Sequence, residues 1–206
     1  LQIKPMVMGG SREIINIEKE SDHEILCSSK ITLGDGLIND VRHIVFVDPK
    51  RFKPAITNDI AKEIHAINQK LIKKHPYILV GPGRWGSADS WLGVPVNWEQ
   101  INGASAIVEL GKNNFPVDPS FGSHFFQNVT SMRLGYFTVD HNSKTDVFDF
   151  TWLNKQSIID DKTYTTCYLL EHPLRIKIDG TTGKAIILKP KVPEQEPMNE
   201  QETSGI

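Results

Sequence analysis

Two stretches of the chain carry apolar residues at helical spacing. Ile60, Ile64, Ile67 and Leu71 recur four, three and four residues apart, with Lys62, Glu63, Gln69 and Lys70 off the stripe. Thr57 or Asn58 can cap the start of that helix. Lys73, Lys74 and His75 suit its C-terminal end, and Pro76 stops it. Phe125, Val129, Met132 and Tyr136 repeat the spacing, Phe126 and Phe137 widen the stripe, and Ser123 is placed as the N-cap.

Between and around these stretches the pattern is that of strands. Glu24–Ser29, the apolar run Arg42–Asp48, Tyr77–Val80 and Ser105–Leu110 read as strands, three of them buried. Phe148, Phe150 and Trp152 alternate with Asp149 and Thr151, which predicts a half-buried strand. Thr163–Leu170 is another strand. Leu174, Ile176 and Ile178 alternate with charged residues, then Asp179-Gly180-Thr181-Thr182-Gly183 turns the chain into Lys184–Leu188, a hairpin. Gly34-Asp35-Gly36 forces an earlier turn, and Asn97 can cap a short helix over Trp98–Gly103. Glu13–Ile17 is a possible edge strand. A helix running straight into a buried strand at Pro76-Tyr77 is α/β packing. The expected architecture is one α/β domain over residues 1–190, a mixed β-sheet flanked by at least two helices and closed by a C-terminal β-hairpin. Residues 191–206 are Pro, Glu, Gln and Ser with few apolar partners, and are expected to form a disordered tail.

Composition narrows the function more by exclusion. The 206 residues hold 23 Lys plus Arg against 25 Asp plus Glu, a formal net charge of −2. A near-neutral balance leaves no electrostatic footprint for nucleic acid or an anionic membrane. No apolar run approaches the roughly 20 residues of a spanning helix, and no signal peptide opens the chain. With only Cys27 and Cys167 there is neither a disulfide framework nor a metal spacing, which fits reduced thiols in a cytoplasmic protein. The seven histidines are scattered, so no metal site is expected. Leu1 in place of Met suggests a piece of a longer polypeptide.

The stretch richest in candidate chemistry is Tyr77–Ser87, YILVGPGRWGS. Gly81, Gly83 and Gly86 would let backbone N–H groups approach a ligand, because no Cβ stands in the way. Arg84 adds a planar charged fork suited to phosphate or carboxylate, and Ser87 closes the segment. The glycines match the dinucleotide pattern G-x-G-x-x-G, with Glu109 at the end of the following strand in place of the ribose-binding acid. The pattern departs after Gly86, where Gly93 and Pro95 oppose a helix, and at Pro82, which removes a donor. Arg84 could equally pair with Asp89 or Glu109 inside the fold. A second anion-favouring spot is Gly122-Ser123-His124, at the N-terminus of the Phe125 helix. Capping by Ser123 accounts for it equally well, and no third residue marks a catalytic triad. No catalytic residue is assigned.

The strings LVGPGRWGSADSWLGVPVNW, ASAIVEL, PSFGSHFFQNVTSMRLGYFTV and IDGTTGKAIIL resemble the C-terminal region of bacterial phosphoenolpyruvate synthase-like and pyruvate phosphate dikinase-like proteins. The resemblance runs from about Glu24 to Leu188. It implies a parent transferase with an upstream ATP-grasp-type domain, a kinase that uses ATP and Mg²⁺. That domain needs more chain than precedes Glu24, and no phosphohistidine signature surrounds any histidine, so no kinase residue transfers here and no cofactor is expected in this fragment. What transfers is that Gly81, Gly83, Arg84, Gly86, Ser87, Gly122, Ser123 and His124 fall in the distinctive segments. The expectation is an accessory domain, not catalytic alone, that binds a phosphorylated or carboxylate ligand between the Arg84 loop and the Ser123 helix start. Its expected partners are the upstream ATP-grasp-type domain and a small anion. A noncatalytic docking domain and a dinucleotide-dependent oxidoreductase are the alternatives.

Overall fold

The computed structural model describes residues 17, 21–72, 74–111, 134–140 and 142–191. They form a mixed α/β unit around one large sheet. Its parallel half is built from β3 (Gly36–Val47), β4 (Tyr77–Pro82), β7 (Ala104–Leu110) and β8 (Gly135–Val139). Its antiparallel half holds β11 (Thr165–Asp179), β12 (Lys184–Leu188), β1 (Ile25–Ser29) and the short β9 (Val147–Phe148), with β10 (Ser157–Asp161) paired to the start of β11.

The sheet rolls onto itself. β2 (Ile31–Leu33) follows β1 after a single residue, Lys30, yet β1 pairs with β12 while β2 pairs with β8 at the far edge. Ser29 seals the junction, its Oγ donating to the carbonyl of Thr138 at 2.5 Å. Closure creates an interior, filled by Leu26, Ile44, Ile78, Val108, Phe137 and Ile176 from six different strands.

A second core lies outside the rolled sheet. The stripe Ile60, Ile64, Ile67 and Leu71 of α1 (Thr57–Leu71) is buried and packs with Val45, Leu79 and Ile107 from the opposite face of the strands. Each such side chain contributes about 1.5–3 kcal/mol on burial. Alternation along β3, β4 and β7 thus feeds two cores at once, which is why these strands read as continuous apolar runs.

One buried polar residue ties the outer layer together. Asn68, fully buried on α1, donates through Nδ2 to the Glu99 carbonyl at 3.0 Å and to Asn102 Oδ1 at 2.9 Å. Its Oδ1 accepts from the Tyr77 hydroxyl at 2.9 Å and the Gly103 N–H at 3.0 Å. Helix, strand β4 and the turn before β7 are therefore pinned by one fully used amide.

Several expectations need correction. Neither Thr57 nor Asn58 caps α1. The cap position is Ile56, without a side-chain bond, because a 3-10 turn over Pro54–Ile56 leads directly into the helix. Thr57 instead turns its hydroxyl back to the Pro54 carbonyl at 3.2 Å. The alternation at Phe148, Phe150 and Trp152 is not a strand past Phe148. Asp149 caps a short helix, α2 (Phe150–Leu153), accepting the Trp152 N–H at 2.9 Å. Tyr136 and Phe137, assigned above to a helical stripe, lie in β8. The two strands expected around Pro173 are one long β11, with the register against β3 shifted between Leu169 and Leu174. A proline lacks the N–H that an unbroken ladder needs, so the pairing slips there. The short helix at Trp98 stops at Gln100 and does carry the Asn97 cap. The Phe125 helix through Arg133, the tail from 192 and the Glu13–Ile17 strand, apart from Ile17 in no element, lie outside the described residues.

Candidate functional site

The parallel strands β3, β4, β7 and β8 all point the same way and end at Val47, Pro82, Leu110 and Val139. Ligands of open α/β sheets collect at such carboxyl ends. The Gly81–Ser87 loop leaves β4 at this edge.

The loop folds back on itself. Arg84–Trp85 (β5) pairs in parallel with Gly93–Val94 (β6). Gly83, at φ 71°, makes the bend that a side chain would strain. A Cβ on Gly93 would stand 1.8 Å from the Arg84 carbonyl oxygen, and one on Gly81 2.8 Å from the Trp85 ring. These glycines are required by the loop's own close packing. Its donors are also spent internally. The N–H of Gly83 donates to the Leu110 carbonyl at 3.1 Å, that of Arg84 to Leu92 at 2.8 Å and that of Gly86 to Val94 at 2.8 Å. Ser87 closes a local turn, with its Oγ donating to the Asp89 carbonyl and accepting the Asp89 N–H. The expected cradle of free backbone donors is therefore absent from Gly83, Arg84, Trp85 and Gly86.

Beneath the loop lies a carboxyl group. Glu109, on β7, is 1% exposed. Its Oε1 accepts the Trp85 N–H at 3.0 Å. Trp85 is buried over it, and the indole N–H donates to the Val108 carbonyl at 3.2 Å. Burial pushes the Glu109 carboxyl up to about 7. The rise is held back by the Tyr136 hydroxyl, by the Trp85 N–H and by the charge of Arg84. The Tyr136 hydroxyl favours the ionised form of the carboxyl, and among the described residues no donor meets Oε2 at good hydrogen-bond geometry. Burial, together with the Glu109 charge, also keeps the Tyr136 phenol protonated. A carboxyl that titrates near neutrality can both give and accept a proton at physiological pH.

Of the residues singled out by sequence, Gly81, Gly83, Arg84, Gly86 and Ser87 sit together at this edge. Gly122, Ser123 and His124 lie outside the described residues. The sequence offered Glu109 as a ribose-binding acid or as a partner of Arg84 inside the fold, and Tyr136 only as core. The signal for Glu109 was a lone charge near the end of an otherwise apolar strand, ASAIVEL. The dinucleotide arrangement lacks its helix: turns follow Gly86, and Glu109 faces the loop backbone. Among the described residues no group of three His, Cys, Asp or Glu could hold a metal ion, and no helix is long and apolar enough to cross a membrane. Cys27 and Cys167 are both buried free thiols. Comparison with protein-family models, curated proteins and solved structures finds no match.

Proposed function

We propose that this chain is an accessory domain of a phosphoenolpyruvate synthase-like phosphotransferase that binds a small phosphorylated or carboxylate ligand through Arg84. The observation that supports the proposal is a half-buried arginine whose charge acts on a buried carboxyl at the carboxyl edge of four parallel strands. The glycine loop serves as the frame that fixes Arg84, and the ligand contacts come from side chains. In this reading the ATP-dependent chemistry resides in the upstream ATP-grasp-type domain, and no step of it is assigned to residues here. Calorimetric titration with phosphoenolpyruvate, ATP and inorganic phosphate tests it. Arg84→Ala should weaken binding by about 1.5–3 kcal/mol, as expected for losing a charged hydrogen bond. Absence of binding to the unaltered chain would overturn the proposal.

A docking role is the second reading, favoured by the tip of the same loop. Trp91 is 64% exposed and Leu92 40% exposed there, while Trp85 is buried. Large exposed apolar side chains side by side mark contact surfaces. This reading predicts association with a separately expressed upstream ATP-grasp-type region, lost in Trp91→Ser.

A further inference from the structure

Strand β10 pairs with β11 on one side and, among the described residues, with no strand on the other. An open edge offers a row of backbone donors and acceptors to another chain. The register of β10 against β11 shifts between Ile158 and Asp160, so Ile159 is the extra residue of a bulge. Ile158 and Ile159 are 53% and 49% exposed. Ile158 lies opposite Tyr168, and the side chains of such a pair share one face of the sheet. The Tyr168 ring lies 6.4 Å from that of Phe46, which lies 6.2 Å from that of Phe150. Phe150, at the start of α2, is 41% exposed. Apolar side chains thus run from the open edge to α2 and remain in water, the mark of a contact surface.

The charges along this edge complement themselves. Asp160 is spent within the fold, on Lys70 and on Lys162. Lys155, just ahead of β10, and Asp161, at its end, are both exposed. Asp161 accepts a hydrogen bond from the Thr166 hydroxyl at 2.9 Å. Neither Lys155 nor Asp161 has an ion-pair partner among the described residues. They stand at equal distances along the chain to either side of Ile158.

We propose that β10 is a homodimer interface, pairing antiparallel with β10 of a second copy about a two-fold axis through Ile158. A two-fold interface needs a surface that is complementary to itself. This axis sets Lys155 of each copy opposite Asp161 of the other, two pairs of opposite charge that fix the register. Slipping the pairing by one residue would set Lys155 against Lys162 instead, like charges that oppose it. The isoleucines of both copies meet at the centre. The interface is independent of any ligand at Arg84.

Sedimentation equilibrium of the full chain should show a reversible monomer–dimer equilibrium. Ile158→Lys puts two ammonium groups on the axis and should leave only monomer. Lys155→Asp sets two carboxylates against two others and should weaken the dimer by about tenfold or more. Combining Lys155→Asp with Asp161→Lys restores opposite charges and should return the Kd to within about threefold of the parent. These three side chains are exposed, so each variant should keep the parental circular dichroism spectrum. A chain that stays monomeric up to about 500 μM would overturn the proposal. A dimer left intact by both Ile158→Lys and Lys155→Asp would overturn it too, by placing the contact elsewhere. Failure of the charge exchange to restore what Lys155→Asp removes would rule out the register.

Discussion

Two buried polar side chains, Asn68 and Glu109, are treated in opposite ways by this fold. Asn68 lies on α1 and Glu109 on β7, and both are essentially inaccessible to water. Asn68 makes all four hydrogen bonds its amide allows. Among the described residues Glu109 makes one well-formed bond, through Oε1, and Oε2 meets no well-placed donor. A satisfied buried amide rigidifies and specifies a core. A carboxyl desolvated without a full set of donors costs stability and shifts its proton affinity, a condition that concentrates at functional sites. The contrast separates a structural hub from a candidate site without reference to any relative.

The sharpest way to break the comparison is Asn68→Ala. It strands the Tyr77 hydroxyl, the Gly103 N–H and two acceptors, each costing about 1–3 kcal/mol when buried without a partner. A loss near 4 kcal/mol in urea-induced unfolding is expected, and a loss under 1 kcal/mol would show that water replaces the amide freely.

The next effect comes from pH. The Glu109 carboxyl rises in the fold from 4.5 to about 7. Its contribution is therefore fully present below pH 4.5 and is lost as pH rises through about 7, which amounts to roughly 3 kcal/mol at 1.36 kcal/mol per unit. Glu109→Gln should remove that slope and leave the protein more stable than the parent above pH 7. Parallel pH profiles for the two proteins would show the carboxyl to be solvated.

The smallest effect has the opposite sign. His43 is buried, and its ring centroid lies 5.0 Å from that of His75. Burial, then the His75 and Arg42 charges, lowers its proton affinity below the usual 6.5. The neutral form is favoured in the fold, so this contribution is present above pH 6.5 and is lost as pH falls below it. His43→Gln should flatten the acid side of the stability profile while leaving the alkaline side unchanged, as read by thermal melts at several pH values.

The legible parts of the fold were those with strong local signals. The Ile60–Leu71 stripe, the apolar strands and the Asp179–Gly183 turn all carry their instructions within a few residues. The unreadable parts depended on partners far along the chain. Nothing local shows that Tyr136 and Phe137 belong to a strand, because that follows from pairing with β7 and β2. Nothing local distinguishes Phe150 in a strand from Phe150 in a helix until Asp149 is seen to cap it. At the candidate site, the glycines and Arg84 stood out by composition. Their use did not, since hydrogen bonds from Gly83 to Leu110 and from Trp85 to Glu109 span more than twenty residues.

What the amino-acid order settled on its own is the α/β class, the amphipathic helix and the loop in which an arginine stands among glycines, because periodicity and backbone freedom are local properties. The tertiary structure alone decided that the sheet closes through Lys30, that the glycine loop spends its donors internally, and that Glu109 is buried beneath Trp85. Those outcomes depend on which strands meet and on what is shut away from water, and neither is written within any single stretch of chain.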